Sequence, residues 1–360
     1  MKVVTIVGAR PQFIKAAPVS RALRQRHREV LVHTGQHYDA GMSGVFFAEL
    51  GIPEPDANLG IGSGSHGQQT GRMLMAIEQV LLQEQPDWLL VYGDTNSTLA
   101  GALAAVKLGV PVAHVEAGLR SFNRAMPEEH NRVLTDRCAD LLFCPTQTAV
   151  DLLAAEGLTV GVHLVGDVMV DALRQHAELA RQRSDVLARL GLAPQGYLLA
   201  TVHRPYNTDV PDNLRSIFAA LGDIHEQTSQ PLVLPLHPRT RRQLDELNLA
   251  PPAGVRLIDP VGYLDMLALE QAAALILTDS GGIQKEAYTF AVPCITLRPE
   301  TEWVETVQAG WNRVVGADRA AIVRAATQRW WPDDSPSPVF GDGHAADRIV
   351  AVLEQENLAP

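Results

Sequence analysis

Cysteine is scarce in this sequence of 360 residues: Cys138, Cys144 and Cys294 are the only three, and no two form a C-x-x-C pair. Neither a disulfide framework nor a redox pair is expected, and thiols set in apolar runs, as at Cys144 and Cys294, fit burial in a reducing compartment. Long hydrophobic runs are missing too. None approaches the roughly 18 residues needed to span a bilayer. The opening MKVVTIVGAR holds too short an apolar stretch for a signal peptide before it turns into Gly-Ala-Arg-Pro, so a cytoplasmic protein without a membrane partner is expected. Positive charge is in deficit. The 30 Lys and Arg against 41 Asp and Glu give a formal net charge of −11, which repels nucleic-acid backbones and anionic membranes. Nucleic acid is thus not an expected partner, although a local basic pocket can still hold a small anion. The G-x-G-x-x-G dinucleotide fingerprint is absent as well.

What is present reads as α/β. The length exceeds what one hydrophobic core usually organises, so two domains are expected. Lys2 to Val7 is a β-branched run closed by Gly8, and a helical pattern follows from Pro11. Strands are expected again at 31–34, 88–92, 110–115, 141–144 and 162–165, with helices between them. That alternation means a doubly wound parallel sheet. Residues 52–65 read as a loop and 168–190 as one long connecting helix. The rhythm then restarts, with strands at 197–202, 232–236, 255–258, 275–278 and 294–297. The expected domains are 1–167, joined by a final helix over 343–360 that packs back, and 168–342. Two such domains facing each other would leave a cleft bordered by both sets of strand ends.

The chemistry concentrates in HVEAGLRSFNRAMPEEHNR, residues 114–132. This stretch carries Glu116, Glu128 and Glu129 together with Arg120, Arg124, Arg132 and His114, beginning where a strand ends. Ligands of open α/β sheets bind outside the carboxyl ends of strands. Pro127 suits the first turn of a helix. Surface ion pairs and first-turn acids are the plain alternative for any one of these residues, but the cluster as a whole is harder to explain that way. Asp94, at another strand end, is weighed equally as a helix cap and as a catalytic group. Arg10 and Lys15 sit where an anion is welcome. His33 and His37 straddle a strand end and a glycine, a poor metal geometry, so no metal site is expected.

The second half adds His203-Arg204 after one strand and His237 after the next. TDSGGIQKE at 278–286 places Ser280, Gly281 and Gly282 at a strand-to-helix turn whose N–H groups suit a diphosphate. Glu286, one turn later, is placed to accept from a ribose diol. A diphosphate clamp beside acid and base groups suits a nucleotide-sugar.

At this point the sequence resembles the non-hydrolysing UDP-N-acetylglucosamine 2-epimerases, through GARPQFIK (8–15), TGQH (34–37), GDTNST (93–98), HVEAGLR (114–120), PEEHNR (127–132), HR (203–204) and TDSGGIQKEA (278–287). The resemblance implies a GT-B-like fold, two Rossmann-like doubly wound domains around a central cleft, and a homodimer. It implies elimination of UDP to a bound 2-acetamidoglucal and re-addition, with Asp94, Glu116 and Glu128 as acid and base groups. Arg10, Lys15 and His203 would stabilise the departing diphosphate. Arg204, His237, Ser280, Gly281, Gly282 and Glu286 would hold UDP, and no cofactor is required. Gln36, His37 and Arg72 match positions where bacterial members bind a second, activating UDP-N-acetylglucosamine. SFNRAMPEE also resembles relatives that epimerise UDP-2,3-diacetamido-2,3-dideoxyglucuronate, whose carboxylate Arg120 or Arg124 would meet. Tyr206 and Trp303 depart from the family's usual glutamate and arginine. The rivals are a GT-B glycosyltransferase using a UDP-sugar and a non-catalytic nucleotide-sugar sensor.

Overall fold

The computed structural model describes residues 1–36 and 54–357. The chain divides into two compact units, Met1–Gln175 with Val339–Pro360, and His176–Pro338. In the first, β1 (Lys2–Val7), β2 (Arg28–His33), β3 (Ala57–Asn58), β4 (Trp88–Tyr92), β5 (Val112–Val115), β6 (Leu141–Cys144) and β7 (Val162–Leu164) form one sheet. Its order is β3-β2-β1-β4-β5-β6-β7. The second unit contains β8 (Leu198–Thr201), β9 (Leu232–Pro235), β10 (Val255–Ile258), β11 (Leu275–Thr278), β12 (Cys294–Thr296) and β13 (Asn312–Val314), in the order β10-β9-β8-β11-β12-β13. Every recorded strand pairing is parallel.

Parallel strands covered by helices on both faces are near-continuous apolar runs, and β4, β5, β6, β8, β9 and β11 are buried at every residue. Strand order reverses between β1 and β4, and again between β8 and β11. Ligand crevices of open α/β sheets form at such switch points. The helix Asn96–Leu108 closes tightly over the first one. A Cβ at Gly101 would lie 3.2 Å from Val91 and 3.3 Å from Ile6, so glycine permits an approach that a side chain would widen.

Three details differ from the sequence reading. The expected single helix over 168–190 is two, Val168–Arg183 and Val186–Leu190. At the break the Ser184 hydroxyl donates to Asp265, on another helix, at 2.6 Å and accepts the N–H of Val186 at 3.3 Å. The expected loop at 52–65 contains the short strand β3, paired to Val32 and His33. Strand β13 also escaped the sequence pattern, since its central Arg313 is exposed.

The last helix, Ala345–Glu356, belongs to the first unit. Buried Asp171 accepts the N–H groups of Ala345 at 3.2 Å and Ala346 at 2.8 Å, satisfying the orphan donors of a helix start. His27 meets Glu354 at 2.6 Å farther along. Removing a capping carboxylate costs about 0.5–2 kcal/mol. Asp171→Ala is therefore expected to lower the denaturant midpoint by that amount of stability, measured by far-UV circular dichroism; an unchanged midpoint would contradict the assignment.

Candidate active site

In the first unit the loop after β1 is tied to the end of β4 by one buried side chain. Gln12 accepts the N–H groups of Gly8 and Ala9 at 2.9 and 3.0 Å. Its amide nitrogen donates to the Tyr92 carbonyl at 2.9 Å and to the Thr98 hydroxyl at 3.0 Å. The two strand ends at the switch point are thereby held together. Thr95 caps the helix Asn96–Leu108, accepting the N–H of Thr98. That leaves the carboxylate of Asp94 outside the capping scheme, and the alternative of Asp94 as the cap is not what the chain uses.

Lys15, on the helix Arg10–Arg24, forms an ion pair with Glu116 at the end of β5. Gly93 passes beside this pair at φ +61°, where a Cβ would stand 3.2 Å from the Glu116 carboxylate and 3.2 Å from the Lys15 ammonium. Glu116 itself has φ +72°. A non-glycine residue in this region costs about 1–2 kcal/mol, and such strain clusters at functional sites. The N–H groups of Glu116 and Ala117 both donate to the Phe143 carbonyl at 3.1 Å, which holds the turn in place.

Pro127 opens the helix Pro127–Cys138, and its two first-turn acids behave differently. Glu129 is buried and accepts from the Ser121 N–H and hydroxyl and from the Phe122 N–H, each at 2.9 Å. Burial alone would push its pKa up, but these bonds and the Arg132 charge outweigh it and hold the carboxyl below its usual range. Glu128 is half-buried and has no hydrogen-bond partner among the described residues. Arg132 donates to Glu129 at 2.9 Å and to Asp94 at 2.5 Å, linking this helix to the end of β4. Asn131 adds a bond to the Asp94 carbonyl at 2.9 Å.

Beneath these groups lies a buried charge network. His114, fully buried on β5, meets Asp136 through Nδ1 and the Gly93 carbonyl through Nε2, both at 2.7 Å. Asp136 accepts from Arg120 at 2.7 Å, and Arg120 grips Glu156 with two bonds at 2.7 and 2.9 Å. Burial pushes the Asp136 carboxyl up, yet the His114 and Arg120 contacts outweigh it and leave it lowered. Cys144, alongside, is pushed up to about 12 by burial first and Asp136 second.

In the second unit, β8 and β11 are bridged by the hydroxyls of Thr201 and Thr278 at 2.6 Å. Asp279, fully buried, accepts the backbone N–H groups of His203 and Arg204 and the amide of Asn207, at 2.9–3.1 Å. The His203 ring lies 3.2 Å from the same carboxylate and 5.8 Å, centre to centre, from His237. His237 caps the helix Pro238–Glu246. Ser280 caps Gly281–Thr289, and Glu286 on that helix is buried. Arg204 is exposed beside Asp279.

The expected residues thus gather in two sets, each at the switch point of its own sheet. Lys15 and Glu116 pair at the first beside Gly93, Asp94 follows Gly93 in the chain, and Glu128 is on the helix that Arg132 and Asn131 fasten to Asp94. In the second, His203 and Arg204 follow β8, His237 follows β9, and Ser280, Gly281 and Gly282 open the helix after β11 that carries Glu286. His37 and the side chain of Arg10 lie outside the described residues. Gln36 accepts from the N–H and hydroxyl of Ser97 at 3.2 and 2.6 Å, and Arg72 is exposed on the helix His66–Glu84. His33 is buried and stacked on Phe13 at 5.2 Å, and among the described residues no cluster suits a metal ion. Gln12, Asp136 and Asp279 were not singled out from sequence. Their partners lie far along the chain, and the only signal is the position of Gln12 inside GARPQFIK and of Asp279 inside TDSGG.

Two Rossmann-like units with polar groups at both switch points define a GT-B-like α/β protein. Residues 21–354 match the family described as UDP-N-acetylglucosamine 2-epimerase, and the chain belongs to that family. It is 54% identical over 360 residues to the UDP-2,3-diacetamido-2,3-dideoxy-D-glucuronate 2-epimerase of Pseudomonas aeruginosa, covering 98% of this chain and 99% of that one. The crystal structure of the Methanocaldococcus jannaschii UDP-GlcNAc 2-epimerase in complex with UDP-GlcNAc and UDP superposes with a TM-score of 0.90 at 44% identity, covering 99% of this chain and 100% of that one. The Neisseria meningitidis enzyme bound to UDP-GlcNAc gives a TM-score of 0.89 at 30% identity, with 99% and 100% coverage.

The buried network has a pH signature. Because the folded-state pKa of Asp136 is depressed, its stabilisation is complete above the unfolded-state value of about 3.9 and is lost as pH falls through the folded-state value. Breaking a buried pair costs about 3–5 kcal/mol. Asp136→Asn is expected to be less stable by that order at neutral pH, with the gap to the parent closing in acid. Denaturant titrations across pH read the gap, and a gap constant into acid would contradict the assignment.

Proposed function

We propose that this chain inverts C2 of a UDP-linked 2-acetamido sugar, interconverting UDP-N-acetylglucosamine and UDP-N-acetylmannosamine as the parent reaction. The observation that carries this reading is the set of carboxylates Asp94, Glu116 and Glu128, two at strand ends of the first sheet and one on the adjoining helix, with Lys15 and Arg132 placed against two of them. The C2 proton of an N-acetylhexosamine has no adjacent carbonyl to stabilise a carbanion, so direct removal is very slow. Elimination avoids this. A carboxylate takes the C2 proton as the C1–O bond breaks, its electron pair leaving with UDP and a C1–C2 double bond remaining in a 2-acetamidoglucal. UDP then adds back at C1 as a carboxylic acid returns a proton to the opposite face of C2. Opposite faces call for separate acid and base groups, which is the use we assign to the three carboxylates.

Lys15, Arg10 and His203 are assigned to the diphosphate that leaves, where preorganised charge lowers the barrier most. Arg204, His237, Ser280, Gly281, Gly282 and Glu286 are assigned to UDP, with helix N-terminal N–H groups suited to its phosphates. The cycle is redox-neutral and requires no redox cofactor. The Gln36, His37 and Arg72 positions remain assigned to a second, activating UDP-sugar. The family reading takes the working protein as a cytoplasmic homodimer in polysaccharide precursor synthesis. A second substrate, UDP-2,3-diacetamido-2,3-dideoxyglucuronate, is favoured by the 54% identity to a relative named for it.

Turnover in deuterated water tests the reaction class. Deuterium is expected at C2 of the recovered nucleotide-sugar, and Glu116→Gln should lower kcat about 10²- to 10⁴-fold, the usual contribution of a general acid or base. Recovery of unlabelled sugar, as a glycosyltransferase would give, would contradict it.

A further inference from the structure

Three arginines stand in the central stretch, and two are committed. Arg120 is buried between Asp136 and Glu156, and Arg132 is buried between Asp94 and Glu129. The expectation that Arg120 could meet a sugar carboxylate is thereby set aside. Arg124 is exposed, and its guanidinium has no partner among the described residues. It lines a pocket of about 530 Å³ in the first unit, together with His66, Thr70, Asn96, His130 and Asn131. That volume lies in the range of small-molecule sites, about 300–1,000 Å³.

The pocket is built to donate. Among the described residues none that line it is a carboxylate, although the chain as a whole carries −11. Three helices begin on it, at His66, Asn96 and Pro127, and each N-terminus presents about half a positive charge. The orientation of Asn96 is fixed: its amide nitrogen donates to Gln69 at 2.8 Å, and its oxygen accepts from Asn131 at 3.2 Å. The same amide nitrogen faces His66 Nδ1 at 3.1 Å, so Nδ1 accepts there and Nε2 of the neutral ring carries the proton. His130 Nε2 meets the Arg124 carbonyl at 2.9 Å, bracing the loop that carries the guanidinium. The pocket is tied to the backbone of Asp94, since Asn131 bonds both Asn96 and the carbonyl of Asp94.

We propose that Arg124 and this pocket bind a carboxylate on the hexose ring, so that the preferred substrate is a UDP-linked diacetamido uronate rather than the uncharged parent sugar. The inference rests on the epimerase reading above and adds the group that discriminates between its two substrates. A uronate carboxylate supplies two acceptor oxygens for the planar guanidinium fork, with the His66 ring and the helix N-termini as further donors. The hydroxymethyl group of the uncharged sugar offers no charge to this pocket. An alternative source of the same anionic chemistry is the diphosphate of either nucleotide-sugar, and the test separates the two.

The experiment measures kcat/KM for UDP-2,3-diacetamido-2,3-dideoxyglucuronate and for UDP-N-acetylglucosamine, with the parent protein, Arg124→Gln and Arg124→Lys. The parent is expected to prefer the uronate. Arg124→Gln should reduce the ratio of the two specificity constants about 10- to 100-fold, the range for a hydrogen-bonded charged group, mainly through a raised KM for the uronate, and Arg124→Lys should restore part of it. An equal loss on both sugars would assign Arg124 to the shared diphosphate and overturn the proposal, as would an unchanged ratio or a parent that prefers the uncharged sugar. Turnover of neither sugar by the parent would instead overturn the epimerase reading beneath it.

Discussion

Carboxylates gathered at the ends of neighbouring strands repel one another, and the first unit depends on the cations that offset them. Two like charges 4 Å apart at an effective dielectric of 20 cost about 4 kcal/mol, a large fraction of a domain's net stability. Lys15 against Glu116 and Arg132 between Asp94 and Glu129 are the local answers. Below them, Arg120 and His114 flank Asp136, and Arg120 extends to Glu156. Each pair also does something structural. The Arg132 link fixes the helix Pro127–Cys138 to the end of β4, and the His114 link fixes β5 to the Gly93 carbonyl beside Asp94. Charge compensation and positioning are the same set of contacts. Glu128 has no such contact among the described residues, which makes it the least constrained of the three carboxylates.

The parallel sheet explains why these groups meet at all. Every strand of a unit points the same way, so the residues that follow β1, β4 and β5 emerge on one edge although the sequence separates them by dozens of positions. Glycine at 93 and the left-handed turn at Glu116 then let the chain pass close to the Lys15–Glu116 pair. The second unit repeats the plan with one buried acid, Asp279, gathering the N–H groups of His203 and Arg204. Both units invest buried polar contacts at the switch point of their sheet, where dry packing would be the cheaper solution for stability alone. That pattern is expected where preorganisation serves a ligand.

Much of this was legible in the sequence, and the reasons are specific. The β-branched and apolar runs at 2–7, 88–92 and 275–278 identify strands because buried parallel strands tolerate little else. Strand-end blocks such as GDTNST and TDSGG mark the two switch points, since small and polar residues there cap helices and bridge strands instead of filling an apolar core. Spacing could not separate Glu128 from Glu129 or Arg120 from Arg124, because neighbours in a helix or loop differ only in what they face; the family resemblance alone picked out Glu128. Asp136, Gln12 and Asp279 act through partners up to 86 residues away, and no local pattern encodes such pairs. The break at Ser184 and Asp185 was missed for the same reason, since Asp265 supplies its partner from another helix.

The central claim is that these carboxylates surround the second carbon of a bound UDP-sugar. A crystal structure of the protein with UDP and the 2-acetamidoglucal bound measures this directly. Carboxylate oxygens of at least two of Asp94, Glu116 and Glu128 are expected near opposite faces of C2, at the roughly 3–3.5 Å of a reactive approach. Density that leaves C2 facing other side chains, with all three carboxylates beyond the reach of one intervening water, would contradict it.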